Sequence, residues 1–251
     1  MIRLVILGAG TAIPRAGYSP AGHLVVLNGQ PLLFDMGPGT VARLAAAGVD
    51  YRDLDHIFLT HLHSDHTLDL ITLLQDYDST PGWTRRKGLK LYSCYGLNEF
   101  YQRLMSAYPG IEPSTYSIQL NEMKAGATLL GEGWSLRSDL TGHTPDSLGY
   151  RLEAEGKSIV FSGDAVFSHG VQDLAYQADV FVCECSFPGD ESAVGHLSAG
   201  DVGRIAQQAG VKRLVLVHLY PPAHQANLLE QVSMHFSGPM EIASDGLTIL
   251  L

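Results

Sequence analysis

The chain opens on an apolar run, Ile2-Arg3-Leu4-Val5-Ile6-Leu7, that reads as a buried strand. Two more strands, over 23–27 and 31–34, flank Asn28-Gly29, the dipeptide of a tight hairpin turn. Asp35 closes the second of them within Phe34-Asp35-Met36-Gly37-Pro38-Gly39. Helical spacing from 40 to 47 stops at Gly48, where a left-handed residue ends a helix without strain. A short run, Ile57-Phe58-Leu59, then leads into Thr60-His61-Leu62-His63-Ser64-Asp65-His66. Beyond it Leu68, Leu70, Ile71, Leu73 and Leu74 recur at helical spacing. The pattern predicts a strand–turn–helix unit over 56–77, with Ser64 or Asp65 capping the helix.

A polar loop over 78–88 follows, then a strand at 89–93, a helix at 96–107 and several short strands between 116 and 140. A hairpin over 149–152 and 158–161 turns at Glu155-Gly156. Next come a strand at 179–183 and a helix at 198–209, opened by the Ser198…Asp201 capping box. A very apolar strand at 214–217, a helix near 226–235 and two closing strands complete the chain. Strands alternating with helices define an α/β class. No repeat, low-complexity tract or linker interrupts residues 1–251, which predicts a single domain.

Composition narrows the function classes. Hydrophobic content of 45% with 17% charged residues describes a globular chain. The formal net charge of −10 argues against a dedicated nucleic-acid binder, which needs a basic face. The one cationic cluster, Arg85-Arg86-Lys87, reads as a solvated loop. Cys94, Cys183 and Cys185 are too few and too oddly counted for a disulfide framework, and Cys183 and Cys185, in or just after the apolar run Val180-Phe181-Val182, read as reduced core or near-core thiols. No signal-peptide pattern and no bilayer-length apolar run is seen, so the cytoplasm is the expected location and no membrane partner is expected. Gly8 and Gly10 suggest a dinucleotide loop, but Ile13 stands where a third glycine belongs and Pro14 blocks a helix start.

The chemistry concentrates in the histidine-rich turn. In extended chain residues two apart point the same way, so His61 and His63 converge, while Asp65 and His66 swing to a neighbouring point as the helix begins. Three imidazoles and a carboxylate within six residues suit borderline divalent ions, zinc first, with manganese or iron as alternatives. Such density points to two ions. Further ligands belong at strand ends, where α/β sheets place their ligands. His143 follows the strand ending at Leu140, Asp164 follows Ile159-Val160-Phe161, and His218 ends the 214–217 strand. Five histidines and two aspartates suffice for two ions that share a carboxylate and a water.

The order and setting of these residues resemble the metallo-β-lactamase superfamily, and within it the ribonuclease Z-like branch. The resemblance runs from Leu7-Gly8 through Pro14 and the 34–39 segment to the 60–66 turn, then resumes at His143, Ser162-Gly163-Asp164, Glu184, His196 and His218. It implies a four-layer αβ/βα sandwich with the metal site at the edge of two sheets. It also implies one ion on His61, His63 and His143, another on Asp65, His66 and His218, and Asp164 as the bridge. His196 would contact the scissile phosphate and protonate the leaving group, Glu184 would orient His196, and Asp35 would brace the metal loop. A metal-bridging hydroxide would be the nucleophile, with Asp65 accepting its proton. Dimers are frequent among such relatives.

Two divalent ions less two carboxylates and a hydroxide leave a charge of about +1, suited to a phosphodiester monoanion. Where ribonuclease Z enzymes of bacteria insert a basic tRNA-gripping arm, between His143 and Asp164, this chain has only a hairpin. After His218 it reads Leu219-Tyr220-Pro221-Pro222 rather than a basic ending. The reading is a dinuclear phosphodiesterase for a small anionic substrate. Sulfatase or lactonase action on the same fold, and a metal-binding regulatory protein with little turnover, are the alternatives. A redox di-iron role is disfavoured, since His63 stands where redox relatives place Glu. Loops 14–22, 78–88, 144–148 and 186–196 are expected to shape the pocket, and His23, His56, His169, His224 and His235 to be structural or exposed, with His224 on the rim.

Overall fold

The computed structural model describes residues 1–190 and 194–251; within the expected pocket loop 186–196, positions 191–193 lie outside the described residues. The chain packs as two units, one of 1–8, 19–123 and 245–251, the other of 9–18 and 124–244.

In the first unit β1 (Ile2–Gly8), β2 (Gly22–Leu27) and β3 (Gln30–Phe34) run antiparallel, followed by parallel β4 (His56–Phe58), β5 (Leu89–Ser93) and β6 (Ile118–Glu122). The closing strand Thr248–Leu250 pairs with the outer side of β1. Asn28 (φ 49°) and Gly29 (φ 87°) make the expected left-handed turn, which fixes the register Leu27↔Gln30. The sheet is covered by α1 (Thr40–Ala46), α2 (Ser64–Thr67), α3 (Asp69–Ser79) and α4 (Leu97–Ala107). Leu33, Ile57, Leu59 and Leu91 pack with Leu44, Leu70, Leu73 and Leu97 in one core, and each such leucine contributes about 1.5–3 kcal/mol by leaving water.

Two local expectations are corrected here. The helix after the histidine turn is capped by His63 in extended conformation without a side-chain bond, and Ser64 and Asp65 lie inside its first turn. The 78–88 segment also does not leave Arg85 in water. Arg85 is 2% exposed, donates to the carbonyl of Leu54 (2.8 Å) and to the Asp55 carboxylate (3.0 Å), and lies 4.5 Å from the centre of the Tyr77 ring. Arg86 and Lys87 remain exposed. A cluster of three cations reads as solvated in sequence; the acceptors that bury Arg85 come from a segment about thirty residues earlier.

In the second unit β7 (Thr128–Gly131), β8 (Trp134–Leu140), β9 (Leu148–Ala154) and β10 (Lys157–Phe161) form an antiparallel meander. Parallel pairing then carries the sheet through β11 (Val180–Glu184), β12 (Leu214–Val217) and β13 (Met240–Ile242). Glu155 (φ 50°) and Gly156 (φ 73°) turn the β9–β10 hairpin. The helices are α5 (His169–Ala175), α6 (Ala199–Ala209), α7 (Pro221–Gln225) and α8 (Leu228–Ser233). Ser198 and Asp201 form the capping box that opens α6, and Gly210 (φ 65°) ends it. The helix expected near 226–235 is α8, and it is preceded by the unforeseen short α7, begun by Pro221, whose fixed φ suits a first turn. α5 escaped notice because only Val171, Leu174 and Ala175 of its seven residues are buried. Cys183 and Cys185 are buried in the core beside Val202, Ile205 and Val232. Burial, with the neighbouring Glu184 charge, pushes both thiols well above their ordinary range, and all three cysteines are free. Among the described residues no helix is long and apolar enough to cross a membrane.

Candidate metal centre

The first unit presents the histidine turn. His61, at the end of the segment that leaves β4, is fully buried, and its ring centre lies 4.5 Å from that of His63 and 4.2 Å from that of His66. His66 Nε2 lies 3.9 Å from the Asp65 carboxylate. The 34–39 segment clamps this turn. Met36 N–H donates to the carbonyl of His66 (2.7 Å), and Asp69 N–H donates to that of Met36 (3.0 Å). Gly37 passes so close that a Cβ there would sit 2.1 Å from the Asp65 carbonyl oxygen, so only glycine fits. Asp35, 1% exposed, accepts from Thr60 N–H (2.7 Å), Thr60 Oγ1 (2.9 Å) and His66 Nδ1 (2.8 Å). It does so from a left-handed backbone, φ 56°, a conformation that Asp tolerates better than most residues.

The second unit gathers residues from four strand ends. His143 follows β8, Asp164 follows β10, Glu184 ends β11 and His218 follows β12. The Asp164 carboxylate divides its oxygens: Oδ2 lies 3.6 Å from His143 Nε2, and Oδ1 lies 3.3 Å from His218 Nε2. Asp164, His196 and His218 bring ligand atoms within 4.8 Å of one another. His218 also has a left-handed backbone, φ 57°, and its N–H donates to the carbonyl of Ala9 (2.8 Å). Strain of this sort is retained where surrounding structure imposes it, commonly at functional positions. Glu184 is fully buried; its carboxylate accepts from Ala165 N–H (2.5 Å) and lies 3.2 Å from His196 Nδ1.

Ser186, absent from the expected site, joins these groups. Its hydroxyl donates to Glu184 Oε2 in a short bond, and its oxygen lies 3.2 Å from His218 Nδ1 and 3.4 Å from His196 Nδ1. With the hydroxyl proton on the carboxylate, Oγ is free to accept from His218 Nδ1–H, so the charge of Glu184 reaches both histidines. The only signal in sequence is a serine two residues after Glu184, too common a pattern to single out. Thr60 Oγ1 plays a similar part at 3.0 Å from His61 Nδ1.

These histidines have the chemistry of metal ligands. Nδ1 of His61 meets Thr60, that of His66 meets Asp35, that of His143 meets the carbonyl of Gly195 (2.6 Å), and that of His218 meets Ser186. Ligating histidines hold one ring nitrogen in a hydrogen bond so that the other stays deprotonated for the ion. In each unit the remaining donor is Nε2, accompanied by a carboxylate, so the residues fit divalent ions. The other histidines take no part in this pattern. His56 stacks on Tyr92 (6.1 Å, 4°), His224 packs edge-on to Tyr18 (4.7 Å) and His235 bonds to Asp190 (2.8 Å), while His23 is buried in β2 and His169 begins α5.

Two α/β units with carboxylates and imidazoles at their strand ends define a metal-dependent hydrolase. The chain belongs to the metallo-β-lactamase superfamily: residues 31–219 match the family described as Beta-lactamase superfamily domain. It is 29% identical to the Ribonuclease Z of Methanosarcina acetivorans, over 87% of this chain and 88% of that protein. It also shares its fold with the metallo-beta-lactamase fold protein YhfI from Bacillus subtilis (TM-score 0.87, 24% identity, 99% of this chain and 98% of the other). Human tRNase Z, short form, aligns with a TM-score of 0.80 at 21% identity, over 99% of this chain and 98% of the other.

Proposed function

We propose that the chain is a dinuclear phosphodiesterase for small anionic substrates, with one ion on His61, His63 and His143, the other on Asp65, His66 and His218, and Asp164 as the shared carboxylate. The observation that carries this reading is the division of Asp164, one oxygen toward His143 and the other toward His218. A carboxylate with one oxygen toward each group of ligands is suited to serve both ions at once. Zinc is the first candidate, given imidazole and carboxylate ligands without a thiolate. Bound ions would supply Lewis acidity, charge neutralisation at the phosphoryl oxygens and an acidified water.

The protein's own groups do the rest. In this reading Asp65 would take a proton from the nucleophile. Glu184 holds His196 Nδ1, which leaves Nε2 to face the leaving oxygen and protonate it. Ser186 couples this acid to His218, so the two act from one hydrogen-bonded frame. Although the relatives include Ribonuclease Z, a small substrate is favoured here. The net charge is −10, and the β9–β10 hairpin, not a basic arm, lies between His143 and Asp164.

The test is hydrolysis of bis(p-nitrophenyl) phosphate by zinc-loaded protein with His63→Ala as control, beside aryl sulfate and lactone panels. Turnover that falls by about 100-fold or more in the variant supports the reading. Preferential cleavage of a sulfate or lactone replaces it with that chemistry. Full metal occupancy without hydrolysis of any class would make the chain a metal-binding regulatory protein.

A further inference from the structure

The two strand ends that carry Glu184 and His218 also carry a pair of aromatic rings. Phe187 and Tyr220 stack nearly parallel, 13° apart with centres 5.2 Å apart, and both remain partly exposed. The Tyr220 ring lies 5.4 Å from His196 and 5.7 Å from His218, and the Phe187 ring lies 6.2 Å from His196. The group assigned to protonate the leaving oxygen is therefore flanked by flat apolar surface.

The backbone beneath both rings is fixed. Phe187 accepts from Ala199 N–H (2.9 Å) and donates to the carbonyl of Leu197, which holds it against the start of α6. Tyr220 N–H donates to the carbonyl of Ser186 (3.2 Å), and Tyr220 caps α7 just before Pro221. A ring on a backbone held this way loses little entropy on gripping a ligand. A stacked pair also extends readily by one more ring, since aromatic faces prefer offset stacking at such spacings.

We infer that Phe187 and Tyr220 form a stacking platform for the leaving group, and that the preferred phosphodiester carries a planar aromatic ring on its leaving alcohol. This specificity rests on the hydrolase reading above, because His196 as leaving-group acid gives the platform its place. The proposed ligands are imidazoles and carboxylates, which by themselves would bind an alkyl ester as well as an aryl one.

The experiment is isothermal titration of zinc-loaded protein with phenylphosphonate, methylphosphonate and a nucleoside 5′-phosphonate. The wild type is expected to bind phenylphosphonate about tenfold more tightly than methylphosphonate, and Tyr220→Ala to erase that difference. Tyr220→Leu, which keeps bulk without a flat ring, serves if the alanine variant fails to fold. With bis(p-nitrophenyl) phosphate the loss is expected mainly in KM. A nucleoside phosphonate bound more tightly than phenylphosphonate assigns the ring to a nucleobase; equal or weaker binding assigns it to a simple aryl group. Equal binding of phenyl- and methylphosphonate, or no binding of either, overturns the platform. A phenyl preference without any phosphodiester hydrolysis keeps the platform and removes the phosphodiesterase reading, so the two fail separately.

Discussion

Replacing Asp35 with asparagine isolates what the buried carboxylate does for the histidine turn. Asn is nearly isosteric and tolerates the left-handed backbone at φ 56°, so the segment keeps its path. The carboxylate is an acceptor on every side: Thr60 N–H at 2.7 Å, Thr60 Oγ1 at 2.9 Å and His66 Nδ1 at 2.8 Å. In the variant one oxygen becomes an NH2. If the amide oxygen keeps Thr60 N–H, the amide nitrogen faces His66 Nδ1, and two N–H groups cannot share that space. His66 must then move its proton to Nε2, the nitrogen meant for the ion. Losing a charged acceptor costs about 1.5–3 kcal/mol of stability, a few degrees of melting temperature in a chain of this size. Metal affinity is expected to fall about 10–100-fold, or about 1.4–2.8 kcal/mol. Chelator competition measures the affinity, and circular dichroism with a thermal melt confirms that the variant is folded. A folded variant that binds zinc within about twofold of wild type refutes the tautomer argument.

Ser186→Ala removes the hydroxyl between Glu184 and His218; zinc affinity and turnover on bis(p-nitrophenyl) phosphate are expected to drop about 10–100-fold, with Ser186→Thr restoring both. Arg85→Met keeps the bulk over Tyr77 but removes the donor to the Leu54 carbonyl and leaves Lys87 as the charged partner of Asp55, and urea unfolding is expected to show a loss of about 1.5–3 kcal/mol. Arg86→Met, on an exposed side chain, stays within about 0.5 kcal/mol. Burial, aided by the charge of Lys90, lowers the pKa of His56 below the ordinary 6.5. As pH falls through about 6.5 the unfolded chain therefore takes up this proton before the folded one, and stability is lost. The urea midpoint of wild type is expected to fall more between pH 7.5 and 5.5 than that of His56→Phe, which keeps the stack on Tyr92 without titrating; equal falls refute the assignment.

Short-range patterns were readable from the residues alone. Asn28-Gly29 and Glu155-Gly156 turn as expected because left-handed backbone is a local property, and the Ser198–Asp201 box caps α6 because its bonds span three residues. His61, His63, Asp65 and His66 were identifiable as candidate ligands because four donors fall within six residues of chain. His143, Asp164 and His218 are single residues at strand ends, each a common pattern alone, and stood out as candidates only together with the histidine turn.

Long-range relations decided the remainder. Arg85 looked solvated within its basic cluster, yet Leu54 and Asp55 on one side and Tyr77 on the other bury it. Ser186 acquires a role only where β11, the start of α6 and the end of β12 place Glu184, His196 and His218 around one hydroxyl. The Phe187–Tyr220 stack joins residues that follow two parallel strands, whose register no local pattern encodes. A sequence specifies which donors exist and which turns close, because those depend on neighbours along the chain. Which second partner each donor meets depends on sheet register and burial, and only the tertiary structure supplies that.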